Sequence, residues 1–197
     1  TDLAVFFEGS IRHSAVIPIG GKNITSDIAI GLRTPLDQAE EIKRKHSSAL
    51  SVRSEDGHLV EVPGVGGRPA RKLSREQLTA IVGPRMEEIL VFANRELKRS
   101  GFDDLMRAGV VLTGGGALMP GAAELAEQVF GMPAKIGVPD SLGGLVPADT
   151  APMFATGIGL MLYGIENPGK KDWGNDGDHQ GIGRIFGRMK RWFGDLA

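Results

Sequence analysis

The sequence predicts an α/β fold, and three stretches carry that prediction. Gly109-Val110-Val111-Leu112-Thr113 reads as a buried strand that runs into three consecutive glycines, Gly114 to Gly116, and then into a helical run over 121–130 opened by Pro120. Residues 2–8 and 11–19 alternate as two strands about the turn Glu8-Gly9-Ser10, which makes a hairpin. Ser74-Arg75-Glu76-Gln77 is a capping box, in which the Ser hydroxyl and the Gln amide satisfy reciprocal backbone donors at the head of a long helix. Strand and helix periodicities interleaved in this way point to an α/β chain.

In the first strand, Leu3, Val5 and Phe7 alternate while Ala4 and Phe6 are also apolar, as when both faces are covered. Gly20-Gly21 breaks the hairpin. Residues 22–33 place Ile24, Ile28 and Leu32 on one helical face, and Pro35 opens a second helix to about His46, with Thr34 as the expected N-cap. Leu50-Ser51-Val52-Arg53 and His58-Leu59-Val60-Glu61-Val62 flank Glu55-Asp56-Gly57, a hairpin signal. Residues 63–69 form a glycine-rich loop, and Arg71-Lys72-Leu73 reads as a short strand. The long helix repeats Leu78, Ile81, Val82, Ile89, Phe92, Ala93 and Leu97 at helical spacing and ends at Ser100-Gly101. A short strand near 134–138 and a helix near 150–163 complete the folded part.

Composition narrows the function. Apolar residues make up 41% and charged residues 24% of the 197, an ordinary globular balance. The net charge of −1 gives no field that would draw nucleic acid, and the lack of cysteine removes disulfides and thiolate metal sites. The four histidines show no metal-ligand spacing. No apolar run is long enough to span a bilayer, and the run 151–163 reads as a buried core helix. The chain begins at Thr1 inside a strand pattern, so the expectation is a piece of something longer.

Residues 167–181, N-P-G-K-K-D-W-G-N-D-G-D-H-Q-G, read as a linker too polar and glycine-rich to order itself. Beyond it, Ile182, Ile185, Phe186, Met189, Trp192, Phe193 and Leu196 fall within roughly 120° of a helical wheel. Arg184, Arg188 and Arg191 lie opposite and Lys190 near the boundary; against Asp195 they leave a net +3. That profile belongs to a helix lying in a lipid interface, with aromatic residues sunk and cations on anionic headgroups. The alternative, docking on the chain's own core, fits less well with a long polar linker in front of the helix.

Taken together, these residues resemble the bacterial FtsA cell-division family, C-terminal half only. Thr1-Asp2-Leu3-Ala4-Val5 resembles the residues directly after that family's second phosphate loop, whose Asp-x-Gly-Gly-Gly-Thr body is not in this chain. Ile19-Gly20-Gly21-Lys22-Asn23-Ile24-Thr25 is similar to the turn after the hairpin in actin-like folds. Glu40-Glu41-Ile42-Lys43-Arg44 resembles the helix that touches adenosine in heat-shock chaperones, and Thr113-Gly114-Gly115-Gly116-Ala117-Leu118-Met119-Pro120-Gly121 resembles the adenosine motif. Pro147-Ala148-Asp149 before a helix with Ala155, Gly157 and Gly159 also fits, as does the linker and terminal helix.

The resemblance implies an actin-like (ribonuclease H-like) subdomain 2A over residues 1–26 and 103–165, a sheet with helices on both faces. It implies an inserted α+β subdomain 2B over 27–102, a linker over 166–181 and an amphipathic membrane-targeting helix over 182–197. It implies ATP with Mg²⁺ in the intact protein, held by Asp2, Gly20, Gly21, Glu40, Lys43, Arg44, Gly114, Gly115, Gly116 and Met119. The three loop glycines would present backbone N–H groups, Glu40 would accept from ribose, and Lys43 and Arg44 would lie near base or phosphate. Without the resemblance, Gly114 to Gly116 serve close packing or anion binding equally well, and Glu40, Lys43 and Arg44 are also what a solvated helix face looks like. With half of the cleft missing, hydrolysis by this chain alone is not expected, at most weak ATPase activity belongs to the family, and no catalytic or metal-ligating residue is assigned.

Subdomain 2B of the family receives the C-terminal peptide of the tubulin-like protein FtsZ. The matching residues here are Arg85, Glu88 and Asn94, with Arg85 pairing an acidic peptide side chain and Asn94 reaching peptide backbone. The implied partners are FtsZ, further copies of the same protein in an actin-like polymer, anionic lipids and other divisome proteins, and no nucleic acid. The implied place is the cytoplasmic face of the bacterial inner membrane at the division site. Lipid contact falls to Ile182, Ile185, Phe186, Arg188, Met189, Lys190, Arg191, Trp192, Phe193 and Leu196. The competing readings are a sugar- or acetate-kinase-like phosphotransferase and a PilM-type pilus-assembly ATPase of the same superfold.

Overall fold

A computed structural model of the chain describes residues 1–51, 59–64, 69–106, 108–139 and 151–167. The chain divides into two units, Thr1–Gly159 and Leu160–Ala197. The linker beyond Asn167, the helix over 182–197, the Glu55-Asp56-Gly57 turn and the Pro147-Ala148-Asp149 turn lie outside the described residues.

Strand β1 (Asp2–Phe7) pairs antiparallel with β2 (Ser10–Val16) from Asp2 opposite Val16 to Phe7 opposite Ser10. The connecting residues Glu8 and Gly9 both have positive φ, 52° and 73°, which matches the twist of a two-residue hairpin. The register slips between Val5 and Phe6, so Arg12 is the extra residue of a bulge. Helix α1 (Gly21–Leu32) opens where the backbone N–H of Gly20 donates to Asn23 Oδ1 at 3.0 Å. It buries Ile24, Thr25, Ile28 and Leu32 along one face, the face read from their spacing.

Helix α2 (Leu36–His46) buries Ala39 and Ile42. Its N-cap is Pro35, which offers no side-chain cap, and Thr34 stands one residue outside the cap with its hydroxyl donating to the Pro63 carbonyl at 2.9 Å. The Thr34 cap is therefore corrected: the helix starts at Leu36, one residue later than expected, which makes Pro35 the N-cap. Strand β3 (Leu59–Val62) pairs antiparallel with β4 (Arg71–Ser74), Val60 opposite Leu73. The hairpin expected between residues 50–53 and 58–62 falls largely on Val52 to His58, which lie outside the described residues; Leu50 and Ser51 are not strand. Val60 and Val62 point inward and Leu59 and Glu61 outward, as period two requires.

Helix α3 (Arg75–Ser100) begins at the capping box: Gln77 N–H donates to Ser74 Oγ at 3.3 Å, and Ser74 N–H donates to Gln77 Oε1 at 3.1 Å. Gly101 ends it at φ 72°. The last part of this unit is a strand-helix-strand. Strand β5 (Val110–Leu112) lies parallel to β6 (Ala134–Ile136), with helix α4 (Ala122–Phe130) between them in sequence. Gly109 allows the approach: its φ is 92°, and a Cβ there would sit 2.2 Å from the Pro133 carbonyl oxygen. Among the described residues the strands form three two-stranded ladders, and none joins β1 to β5 in the single sheet expected. Helix α5 (Ala155–Glu166) follows a 3-10 turn at Ala151–Phe154. No helix among the described residues is long and apolar enough to cross a membrane.

One buried cluster links these elements, from Val5 and Ile17 through Ile24, Ile28 and Leu32 to Val82, Leu90, Leu125 and Phe130. Ile28 is 0% exposed at its centre, while Ile30 on the same helix is 76% exposed. Ile28→Ala should cost about 2–5 kcal/mol by urea unfolding, from lost transfer energy plus a cavity. Ile30→Ala should cost less than about 0.5 kcal/mol. Equal losses would show that α1 is not seated this way.

Candidate functional site

The first cluster forms where the start of α1 meets α2. Lys43 Nζ donates to Glu40 Oε2 at 2.6 Å, to Thr25 Oγ1 at 2.9 Å and to the Gly21 carbonyl at 3.1 Å. The Thr25 hydroxyl donates to Glu40 Oε2 at 2.5 Å. The structure thus gathers Gly21, Glu40 and Lys43 around Thr25, for which no site role was expected. The Lys43 side chain is only 15% exposed, against 45% for Glu40. An ammonium has three protons and all three are committed, so Lys43 acts as a clasp between α1 and α2 and is not a free cation. Among the described residues no group donates to Glu40 Oε1. Arg44 is exposed and adds a positive field at Glu40.

Burial raises the pKa of Glu40, but hydrogen bonds from Lys43 and Thr25 and the charges of Lys43 and Arg44 outweigh it, and the carboxyl sits below its usual 4.5. His46, at the end of α2, is pushed down by burial and by the nearby charges of Arg75 and Lys45.

The second cluster is the glycine turn after β5. Gly115–Leu118 form a 3-10 turn, and Met119 comes next, partly buried against the core. Gly114 has φ 84° and its N–H donates to the Pro152 carbonyl at 2.9 Å. That corrects one expectation: Gly114 does not present its N–H outward, because the Pro152 carbonyl has taken it. Gly115 and Gly116 head the turn. A Cβ at Gly114 or Gly116 would meet nothing within 4 Å among the described residues. The end of α2 is fastened to this region, since Ala49 N–H and Ser48 Oγ both donate to the Pro120 carbonyl, at 2.8 and 3.0 Å. Asp2 stands exposed at the start of β1, and Gly20 precedes α1. Among the described residues no group of three or more His, Cys, Asp or Glu is placed to hold a metal ion.

The third feature is a groove of about 450 Å³ between α1 and α3, lined by Asp27, Ala80, Ile81, Pro84, Arg85 and Glu88. Pro84 lies inside α3 and has no N–H to offer the Ala80 carbonyl one turn back. Arg85 is held on two sides. Nε donates to Asp27 Oδ2 at 2.5 Å and Nη2 to Asp27 Oδ1 at 3.1 Å, while Nη1 donates to Glu88. The fork to Asp27 and the charge of Glu88 keep the guanidinium pKa above its usual value. Arg85 and Glu88 thus lie together on this groove. Asn94 is not in this groove: its Nδ2 donates to the Val129 carbonyl at 2.7 Å, in the packing of α3 on α4. The expected lipid-binding residues, Ile182 to Leu196, lie outside the described residues.

Comparison with known proteins agrees with this architecture. The profile of the family described as "Cell division protein FtsA" matches residues 1–159. The chain is 50% identical over 166 residues to "Cell division protein FtsA" of Pseudomonas aeruginosa, covering 84% of this chain and 40% of that protein. It is 41% identical over 196 residues to the protein of that name from Neisseria meningitidis, covering 98% of this chain and 47% of that one. The chain therefore spans less than half the length of these curated relatives. Among solved structures, MreB5 of Spiroplasma citri bound to ADP superposes with a TM-score of 0.62 at 22% identity, covering 84% of this chain and 52% of that one. A likeness at that identity carries the fold alone, which is the actin-like α/β class.

The Glu40 clasp makes stability depend on pH. A carboxyl whose folded pKa is lowered contributes fully above its unfolded value, about 4.5, and the contribution fades as pH falls through the folded value. Urea unfolding from pH 7 to pH 3 should show wild type above Glu40→Gln at neutral pH, with the gap closing below about pH 4.5. A gap that widened on acidification would refute the clasp.

Proposed function

The chain belongs to the FtsA family of cell division proteins, and from that premise we propose that it is the part of a divisome adaptor that ties FtsZ filaments to the inner face of the cytoplasmic membrane. The observation that carries this reading is the groove between α1 and α3, where Arg85 and Glu88 stand side by side. A peptide settling there would find apolar contact at Ile81 and Pro84, a backbone acceptor at Ala80, and charged groups of both signs.

The tail is the second half of the tether. Each basic residue near an anionic surface contributes on the order of 1 kcal/mol, and the apolar face adds its burial. One short helix of this kind holds weakly, so lasting attachment calls for several copies acting together, as in an actin-like polymer. The chemistry of these residues also supports nucleotide binding in the intact protein. The space beside Gly116 would admit a ribose and phosphate, and Glu40 Oε1, to which no described residue donates, would accept from ribose hydroxyls. Lys43 would serve there as the clasp that aims Glu40. Mg²⁺ would be held mainly by the phosphates, with Asp2 near. When bound, ATP would supply the polymer switch; this chain's own part is one wall of the cleft. The family match gives the phosphotransferase and pilus-assembly readings no support.

Co-flotation tests the tether directly. With vesicles of anionic lipid and a labelled FtsZ C-terminal peptide, the full chain should carry the peptide to the top of the gradient. A chain truncated after Tyr163, or one with Trp192→Glu and Phe193→Glu, should leave both at the bottom. Arg85→Glu should float without the peptide. Equal flotation of truncated and full chains would end the tether reading. A titration of ATP with Mg²⁺ against this chain alone should give weak or no binding, since phosphate positioning needs both walls; tight binding would overturn the half-cleft account.

A further inference from the structure

The Arg85 side chain faces the groove already occupied. Asp27, on α1, meets it with a two-pronged hydrogen bond at 2.5 and 3.1 Å, the geometry a guanidinium offers an incoming carboxylate. Glu88, on the same helix as Arg85, takes Nη1 and leaves the fork to Asp27. Any ligand acid that reads Arg85 in this geometry must take the place that Asp27 holds.

We propose that Asp27 is a specificity-determining competitor within the peptide groove: it occupies the Arg85 fork when the groove is empty, and a peptide carboxylate must displace it to bind. The inference rests on the reading of this groove as the site for an acidic peptide. The empty groove carries two carboxylates against one guanidinium, so a free anion meets net negative charge. An acidic segment that also covers Ala80, Ile81 and Pro84 brings apolar burial that a free anion lacks. Displacing Asp27 then leaves Arg85 with as many anionic partners as before. The device penalises partners whose only asset is charge, which is discrimination by an unfavourable alternative.

The plainer role for this pair is a clasp between α1 and α3. Burial argues against it. Ile28 and Val82 are each 0% exposed and the two helices pack through such residues. Arg85 and Asp27 keep 30% and 26% exposure at the rim. An ion pair so placed adds at most about fivefold to an equilibrium constant. The partner residue lies 58 positions away, on a helix already held by its core.

The experiment is fluorescence anisotropy on the full chain with two probes, an FtsZ C-terminal peptide and the same peptide with Asp and Glu replaced by Asn and Gln. Wild type, Asp27→Asn and Asp27→Ala are compared, with thermal unfolding of each. The expected result is three- to tenfold tighter binding of the acidic peptide by both variants, unchanged binding of the neutral peptide, and little change in melting temperature. Unchanged or weaker binding of the acidic peptide, at unchanged melting temperature, overturns the competitor while the groove reading stands. Weaker binding together with a lower melting temperature in both variants shows a structural clasp and also overturns it. If wild type and both variants bind neither peptide, the groove reading itself fails and the inference goes with it.

Discussion

Helix α1 must bury Ile24, Ile28 and Leu32, and that requirement decides where its polar residues go. With the apolar stripe turned to the core, Thr25 falls at the edge facing α2 and Asp27 falls at the edge facing α3. Both polar clusters of this unit therefore hang from one helix whose orientation is set by hydrophobic burial. Neither cluster needs to supply its own rigidity. Lys43 reaches Gly21 and Thr25 because α1 and α2 are packed, and Arg85 reaches Asp27 because α1 and α3 are packed. Loosening the Ile28 contact would blur both at once.

Elements whose signals are local could be read from the sequence. The capping box at Ser74 and Gln77 involves neighbours three residues apart, and the structure places both reciprocal hydrogen bonds there. The apolar stripe of α1 and the strand-glycine-helix unit after Gly109 emerge from periodicity and from glycine's freedom in the same way. The features that escaped the sequence were decided at long range. Thr34 is a good cap by type, yet the helix starts one residue past the expected place and the Thr34 hydroxyl donates to Pro63, 29 residues on. Val60 and its neighbours pair with β4 across the glycine-rich loop, Val60 opposite Leu73.

The residues of the candidate sites divide along the same line. Arg85 and Glu88 sit one turn apart and were legible as a pair on a helix face. Asp27 was not, since nothing in its neighbourhood marks it as the partner of a residue 58 positions away. Thr25 carried a faint local signal: it stands one turn after Gly21, so its hydroxyl lies 3.1 Å from that carbonyl. That placement leaves it facing α2, where Glu40 and Lys43 converge. Gly114 shows the opposite error. Its type was right for a left-handed turn, but its N–H answers to Pro152, which no spacing rule connects to it.

Sharing one helix does not by itself couple the two clusters. Coupling needs an element with two arrangements, each favoured by a different ligand. Rotating α1 to loosen Asp27 from Arg85 would lift Ile28, now fully enclosed, out of its seat. Closely packed interiors resist such partial motion. Displacement of Asp27 is therefore a matter of its own side chain changing rotamer at the rim, where it is already partly exposed. Thr25 lies on the same helix two residues earlier, but its hydroxyl is held by Glu40 and Lys43 regardless of where the Asp27 carboxylate points. The physical picture is two sites on one rigid support, each set by its own side chains.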